Sequence, residues 1–273
     1  MLSPETAAPD ARAPLLVFDS GVGGLSVLER IRQHCPAAPI VYAMDRAGYP
    51  YGMRDDADLA GRIPALLGRL VERYRPRLLV IACNTASTIA INAVRHALDI
   101  PVVGTVPAIK TAATRTRTGV IGVLGTHATI RQPYLDQLID DFAPDCTILR
   151  HGAPALVDLA EARLVGDTRL SPAASNALSG LHSQTRGRSM DTVVLACTHF
   201  PLVAHELAAA AASDLQFVDS SDAIARRVAA LTCAQSWPAR RPRGIVASTG
   251  PAATTQILMP ALARFGLMRL DTF

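Results

Sequence analysis

The sequence is almost without lysine: of its 27 basic residues, only Lys110 is one. A pyridoxal-phosphate enzyme holds its cofactor on a lysine. Lys110 would have to be that residue, and nothing around it suggests such a site. Aromatic residues are also scarce, at 4%. The short arginine clusters Arg115-Thr116-Arg117 and Arg240-Arg241-Pro242-Arg243 have few beside them. With a net charge of +4 spread along the chain, these clusters read as solvated loop charge and no nucleic-acid partner is expected. No apolar run approaches the ~20 residues of a membrane-spanning helix. Met1 to Pro14 lacks the apolar centre of a secretory signal, so it reads as a frayed leader. Five cysteines, an odd number with no C-x-x-C pair, fit reduced thiols in a cytoplasm. No further ligand set accompanies Cys197 and His199, so no metal is expected. What the chain does have is 49% apolar and 18% charged residues over 273 positions, enough for one large core or two ordinary ones.

Strand and helix patterns alternate. Leu15 to Phe18, Pro39 to Met44, Leu78 to Ala82 and Pro101 to Gly104 read as strands. Leu25 to His34, Asp55 to Tyr74 and Ser87 to Leu98 read as the helices between them. The helix over 55–74 is marked by Leu59, Ile63, Leu66, Leu67, Leu70 and Val71 at a spacing of three to four. A second series follows. Its strands are Gly119 to Leu124, Thr147 to Arg150, Thr192 to Ala196 and Gln216 to Val218. Its helices are Gln132 to Phe142, Pro154 to Arg163, Ser171 to Thr185, Pro201 to Ala212 and Asp222 to Leu231. Gly244 to Thr249 is expected as the last strand and Thr254 to Phe265 as the last helix. Such alternation predicts an α/β protein with largely parallel sheets. Two similar series predict two pseudo-symmetric α/β domains with an active-site cleft between them. The expected division gives residues 1–104 and 215–273 to the first domain and 105–214 to the second.

Two segments repeat one idea. Arg77 to Ile81 runs into Ala82-Cys83-Asn84-Thr85, and Asp191 to Leu195 runs into Ala196-Cys197-Thr198-His199. An unbroken apolar run suits a buried parallel strand, and ligands gather at such strands' carboxyl ends. Two thiols placed in this way could face one another across a cleft. Either motif alone would more often be structural; the repetition reverses that reading. The remaining cysteines, Cys35, Cys146 and Cys233, read as ordinary core or surface residues. Asp19-Ser20-Gly21-Val22-Gly23-Gly24 lies between a strand and a helix, where backbone N–H groups can hold an anion. It has neither the Gly-Lys-Ser/Thr of a P-loop nor the G-x-G-x-x-G of a dinucleotide fold. Tyr49-Pro50-Tyr51-Gly52 and Gly125-Thr126-His127-Ala128-Thr129 are further polar loops at strand ends.

In five segments the sequence resembles the glutamate racemases of the aspartate/glutamate racemase superfamily. They are Phe18 to Val27, Pro50-Tyr51-Gly52, Ala82 to Ser87, Gly122 to Thr126 and Ala196 to Leu202, in family order. The resemblance implies cofactor-independent interconversion of L- and D-glutamate, a small-molecule substrate, and supply of D-glutamate to peptidoglycan. It implies that Cys83 and Cys197 are acid/base thiols on opposite faces of the substrate's Cα, Cys83 acting on the D-enantiomer and Cys197 on the L-enantiomer. Asp19 and His199 then assist the thiols, and Glu161 matches a family acid near the second. Asp19-Ser20, Tyr51-Gly52, Asn84-Thr85 and Thr198-His199 match substrate-binding pairs, with Thr126 and Thr129 as further candidates. Asp45-Arg46-Ala47-Gly48-Tyr49 departs from the pattern, as does Ala153-Pro154, where relatives often have Cys-Pro. A homodimer is compatible with the sequence, which does not specify it.

The chemistry asks for such a set. Cα–H is a very weak acid, so one thiolate must take the proton while a thiol on the other face returns one. The carbanion's carboxylate needs donors in a water-poor cleft. Two other readings remain open at this level: a superfamily racemase acting on aspartate or a hydantoin, and a small-acid binding module on the same fold.

Overall fold

The first strand, β1 (Leu15–Asp19), is apolar until its last residue, and both of its faces are covered. Leu15 and Val17 pack on one side of the sheet; Leu16 and Phe18 pack on the other. This two-residue alternation under helices on both faces is what a central parallel strand requires. A computed structural model describes residues 10–211 and 214–273. Most of the expected leader, and Ala212 of the expected helix over 201–212, lie outside the described residues.

The first half runs β1, α1 (Leu25–His34), β2 (Ile40–Met44), α2 (Asp56–Tyr74), β3 (Leu78–Ile81), α3 (Asn84–Ala97) and β4 (Val102–Gly104). The second half opens with α4 (Ile109–Arg115), β5 (Val120–Gly125), α5 (His127–Arg131), α6 (Pro133–Phe142) and β6 (Thr147–Gly152). It continues through α7 (Ala155–Leu164), α8 (Ala173–His182), β7 (Thr192–Leu195), α9 (Ala204–Ala210) and β8 (Gln216–Val218). The chain then returns through α10 (Ser221–Thr232), β9 (Gly244–Ser248), α11 (Ala252–Gln256), α12 (Met259–Ala263) and β10 (Leu267–Thr272). All the strand pairs described are parallel. The first sheet has the order β10-β9-β2-β1-β3-β4 and the second β6-β5-β7-β8. The core of the first sheet, β2-β1-β3-β4, therefore has the same order as the whole of the second. In that correspondence β3, which leads into Cys83, matches β7, which leads into Cys197.

Several expectations need correction. The strand Gln216–Val218 bonds to β7, so the chain leaves the second sheet after residue 218 rather than at 215. Beyond it, α10 packs on α1 through Ile224, Ala225 and Val228, within the first core. α4 makes the opposite crossing, burying Ile109 and Ala112 in the second core. The expected helix over 254–265 is two short helices. Pro260, at the start of α12, lacks an N–H and crowds the preceding turn. β10 follows as an additional edge strand, so β9 is not the last. The helix expected over 201–212 begins as a 3-10 turn at Phe200–Val203 and becomes α-helical at Ala204. Among the described residues no helix is long and apolar enough to cross a membrane.

Candidate active site between the two sheets

In an open parallel sheet a crevice forms at the carboxyl ends, where neighbouring strands send their chains to opposite faces. β1 leads into α1 on one face, whereas β3 leads into α3 on the other. A cavity of about 320 Å³ lies at this point and at its counterpart between β5 and β7. Ser20 lines it from the end of β1, Tyr51 and Gly52 from the loop after β2, and Cys83, Asn84 and Thr85 from the end of β3. The second half supplies Thr126 and Thr129 after β5, and Cys197, Thr198 and His199 after β7. The two cysteines thus face the same cavity, each 7% exposed.

The thiols differ in their surroundings. α3 begins at Asn84, three residues before the expected start, and Cys83 occupies its N-cap position. Burial, followed by the charge of Asp19, pushes the Cys83 thiol far above its ordinary range; backbone N–H groups of Ala86 and Ser20 oppose this. The charge of Cys197 adds to the upward push, so a thiolate on one sulfur disfavours a second. Cys197 instead has a histidine partner, His199 Nδ1, at 3.9 Å. The other ring nitrogen of His199 faces Glu161 Oε1 at 3.4 Å. Burial works against a proton on this ring. The bonds to Cys197 and Glu161 and the nearby charges outweigh burial and raise its pKa to about 10.

Glu161 is held in turn. Arg46 Nη1 donates to its two oxygens at 3.0 and 3.1 Å, and the Val22 N–H donates at 3.3 Å. Burial pushes the Glu161 carboxyl up, but His199, Arg46 and Val22 together hold it below the usual value. Arg46 also lies over the ring of Tyr49, 4.5 Å from its centre. Neither Glu161 nor Asp19 lines the cavity. Asp19 is fully buried and joins the two loops: its Oδ1 accepts from Gly21 N at 2.6 Å and its Oδ2 from Thr198 Oγ1 at 3.0 Å. Burial raises its pKa despite these donors and the charge of His199. Ser26 adds a second joint, its hydroxyl lying 2.9 Å from the carbonyls of both Gly23 and Thr198.

His199 gains proton affinity on folding. That contribution to stability is therefore complete below its unfolded pKa of about 6.5 and is lost as pH rises towards about 10. Thermal unfolding between pH 7 and 10 should show a falling midpoint, with the His199→Gln variant losing most of this slope.

Polar groups on the cavity wall await partners. Asn84 Oδ1 is buried without a hydrogen bond. Such an unpaired acceptor is costly unless a ligand donor reaches it. Thr85 Oγ1 meets Thr126 Oγ1 across the two halves at 3.5 Å, and Thr126 meets Thr129 at 3.0 Å.

Other residues of the site were not expected from the sequence. Met53, Pro154, Val157 and Asp158 line the cavity, beside Tyr49 and His127 from the two polar loops noted in the sequence. Asp45, fully buried, accepts from Arg62 at 2.6 and 2.7 Å, from the Tyr51 hydroxyl at 2.6 Å and from the Thr249 hydroxyl at 2.6 Å. Burial pushes this carboxyl up, and the three donor groups bring it below its ordinary value. Removing one partner of a buried pair costs about 3–5 kcal/mol. Because Arg62 is about one-third exposed, Asp45→Asn should cost roughly 2–3 kcal/mol in urea unfolding. It should also raise KM, since Tyr51 would lose its anchor. Among the described residues no group of three or more His, Cys, Asp or Glu is arranged to hold a metal ion.

The profile of the Asp/Glu/Hydantoin racemase family matches residues 16–228. A glutamate racemase of Sphingopyxis alaskensis is 56% identical over 265 residues, spanning 97% of this chain and 98% of that protein. The crystal structure of Escherichia coli glutamate racemase, in complex with L-glutamate and the activator UDP-MurNAc-ala, is 39% identical. It superposes with a TM-score of 0.87, covering 96% of this chain and 98% of its own. The glutamate racemase of Thermus thermophilus, in complex with beta-chloro-D-alanine, is 28% identical with a TM-score of 0.78, over 97% and 98% of the two chains. Fold and sequence agree across the length of the chain, which belongs to the Asp/Glu/hydantoin racemase family.

Proposed function

We propose that this protein is a glutamate racemase that inverts Cα with two thiols and no cofactor, supplying D-glutamate for peptidoglycan in the cytoplasm. One observation carries the reading: Cys83 and Cys197 come from equivalent strand ends of the two halves and face a single small cavity.

In the L-to-D direction the Cys197 thiolate removes the Cα proton. Imidazolium at His199, backed by Glu161 and Arg46, provides the positive charge beside that sulfur before the proton arrives. The electron pair left on Cα spreads into the carboxylate. Hydroxyls of Thr85 and Thr126, and N–H groups at the start of α3, provide donors for the negative charge. Cys83, kept as a thiol by its burial, gives its proton to the opposite face and becomes the thiolate. D-glutamate leaves with Cys197 as the thiol and Cys83 as the thiolate, and proton exchange with solvent restores the Cys197 thiolate and the Cys83 thiol for the next turnover. The unpaired Asn84 Oδ1 suits the substrate's ammonium group. Ser20, Tyr51 and Gly52 form the wall for the side-chain carboxylate.

Incubation in deuterium oxide, without added cofactor, should place deuterium at Cα of glutamate as optical rotation is lost. Aspartate should react at least about a hundredfold more slowly, because its shorter side chain would leave polar groups of the wall unpaired. Faster reaction with aspartate would make the chain an aspartate racemase. If neither amino acid exchanged, a binding module would be favoured.

A further inference from the structure

A second cavity, of about 470 Å³, opens where α1, α7 and the carboxyl-terminal segment meet. It shares no lining residue with the racemisation cavity. Four arginines line it, Arg32, Arg163, Arg241 and Arg264, with Glu29 as the carboxylate among the lining residues. Arg163 is already engaged by Glu206 and by the carbonyls of Asp167 and Arg169. Arg264 donates to the Leu164 carbonyl at 3.3 Å. Arg32 is different. Its Nη1 donates to the Ala38 carbonyl at 3.1 Å, but its Nε and Nη2 are buried without an acceptor.

Beside these donors lies a second guanidinium. Gly266 has φ +75°, and a Cβ there would lie 2.7 Å from Arg241 Nη2 and 3.5 Å from Arg32 Nη2. Two like charges are thus neighbours, close against the Gly266 backbone, in the lining of one cavity. Burial, followed by the charge of Arg241, lowers the pKa of Arg32 to about 10. A guanidinium fork matches the paired oxygens of a phosphate. A dianion relieves the repulsion between two cations more fully than a single carboxylate does. Leu164, Leu202 and Phe265 give the same cavity an apolar wall, which suits a carbon body and has no use for a bare ion.

We propose that this cavity binds a phosphate monoester, with its oxygens between Arg32 and Arg241 and its carbon body against Leu164, Leu202 and Phe265. α7 belongs to the second half of the molecule, while α1 and the carboxyl-terminal segment belong to the first. An occupant therefore ties the halves together on a face separate from the racemisation cavity.

Calorimetric titration of the full chain tests this with two probes, phenyl phosphate and inorganic phosphate, at an ionic strength held constant with chloride. Phenyl phosphate should bind saturably and about tenfold more tightly than inorganic phosphate. Arg32→Gln and Arg241→Gln should each weaken it about tenfold or more, with unchanged circular dichroism. Arg241 lies in the loop before β9, so its substitution remains informative if Arg32→Gln misfolds. Absence of saturable binding, or affinity untouched by Arg241→Gln, overturns the site. Equal affinity for the two probes overturns the monoester and assigns the cavity to free phosphate.

Discussion

Replacing Cys83 or Cys197 with serine should slow racemisation by at least about a thousandfold in both directions, because each catalytic cycle uses both sulfurs. A positioned acid or base contributes about 10²- to 10⁴-fold. A serine hydroxyl in either position fails both as base and, in the return direction, as acid. The double substitution should therefore be little slower than either single one, since the residues act as a unit. Both side chains are small and buried, so each serine variant should stay within about 3 kcal/mol of the parent in stability. Unfolding curves beside turnover measurements separate lost chemistry from lost fold. If a single serine variant kept more than a tenth of the parent rate, the two-thiol scheme would be wrong. The cysteines away from the cavity, Cys35, Cys146 and Cys233, provide the contrast, and their serine variants should turn over normally.

The strand-end position of these thiols could be read from the sequence because fully buried parallel strands leave an unbroken apolar signature. Leu78 to Ile81 and Thr192 to Leu195 are covered on both faces, so each run ends where the chain turns into the cleft. β10 left no such trace. Met268 and Arg269 are exposed, and Asp271 is turned towards Arg73 and Tyr74, as suits an edge with solvent beside it. α4 leaves no trace for a related reason: at seven residues, with no side-chain cap, it is held by the second core through Ile109 and Ala112 and has little local signal.

The polar framework behind the cavity was less accessible still. Glu161 was named through family resemblance alone. What positions it, the contact of Arg46 Nη1 with both carboxylate oxygens, joins residues 115 positions apart, Arg46 lying in a segment that departs from the family pattern. Asp45 reads locally as a turn residue. Its importance comes from Arg62 on α2 and Thr249 after β9, which only the assembled first sheet brings to it. Composition and periodicity report what is buried; they say little about which distant charges meet.

Gly23→Ala should reduce turnover by about a hundredfold or more while leaving most of the fold intact. Gly23 lies in the loop between β1 and α1, and the loop after β7 lies directly against it. A Cβ there would collide with His199 Nδ1, the nitrogen facing Cys197, and would stand 2.6 Å from Thr198 Oγ1. Neither group has room to retreat freely. Thr198 is bonded to Asp19, its carbonyl is met by Ser26, and the far side of His199 is occupied by Glu161. Overpacking of this kind costs about 1–3 kcal/mol, and moving a catalytic group by about 1 Å can cost about a hundredfold in rate. The Nδ1-to-sulfur distance of 3.9 Å is already long, so any outward shift of the ring removes the partner from the Cys197 thiolate. Gly61→Ala provides the control. It lies within α2 where an added Cβ meets nothing within 4 Å, so it should raise stability by about 0.5–1 kcal/mol and leave turnover unchanged. Normal turnover in Gly23→Ala would show that His199 does not need its present place for the reaction. The loss in kcat/KM should be equal for the two enantiomers, because they have the same free energy and each direction passes through both thiols.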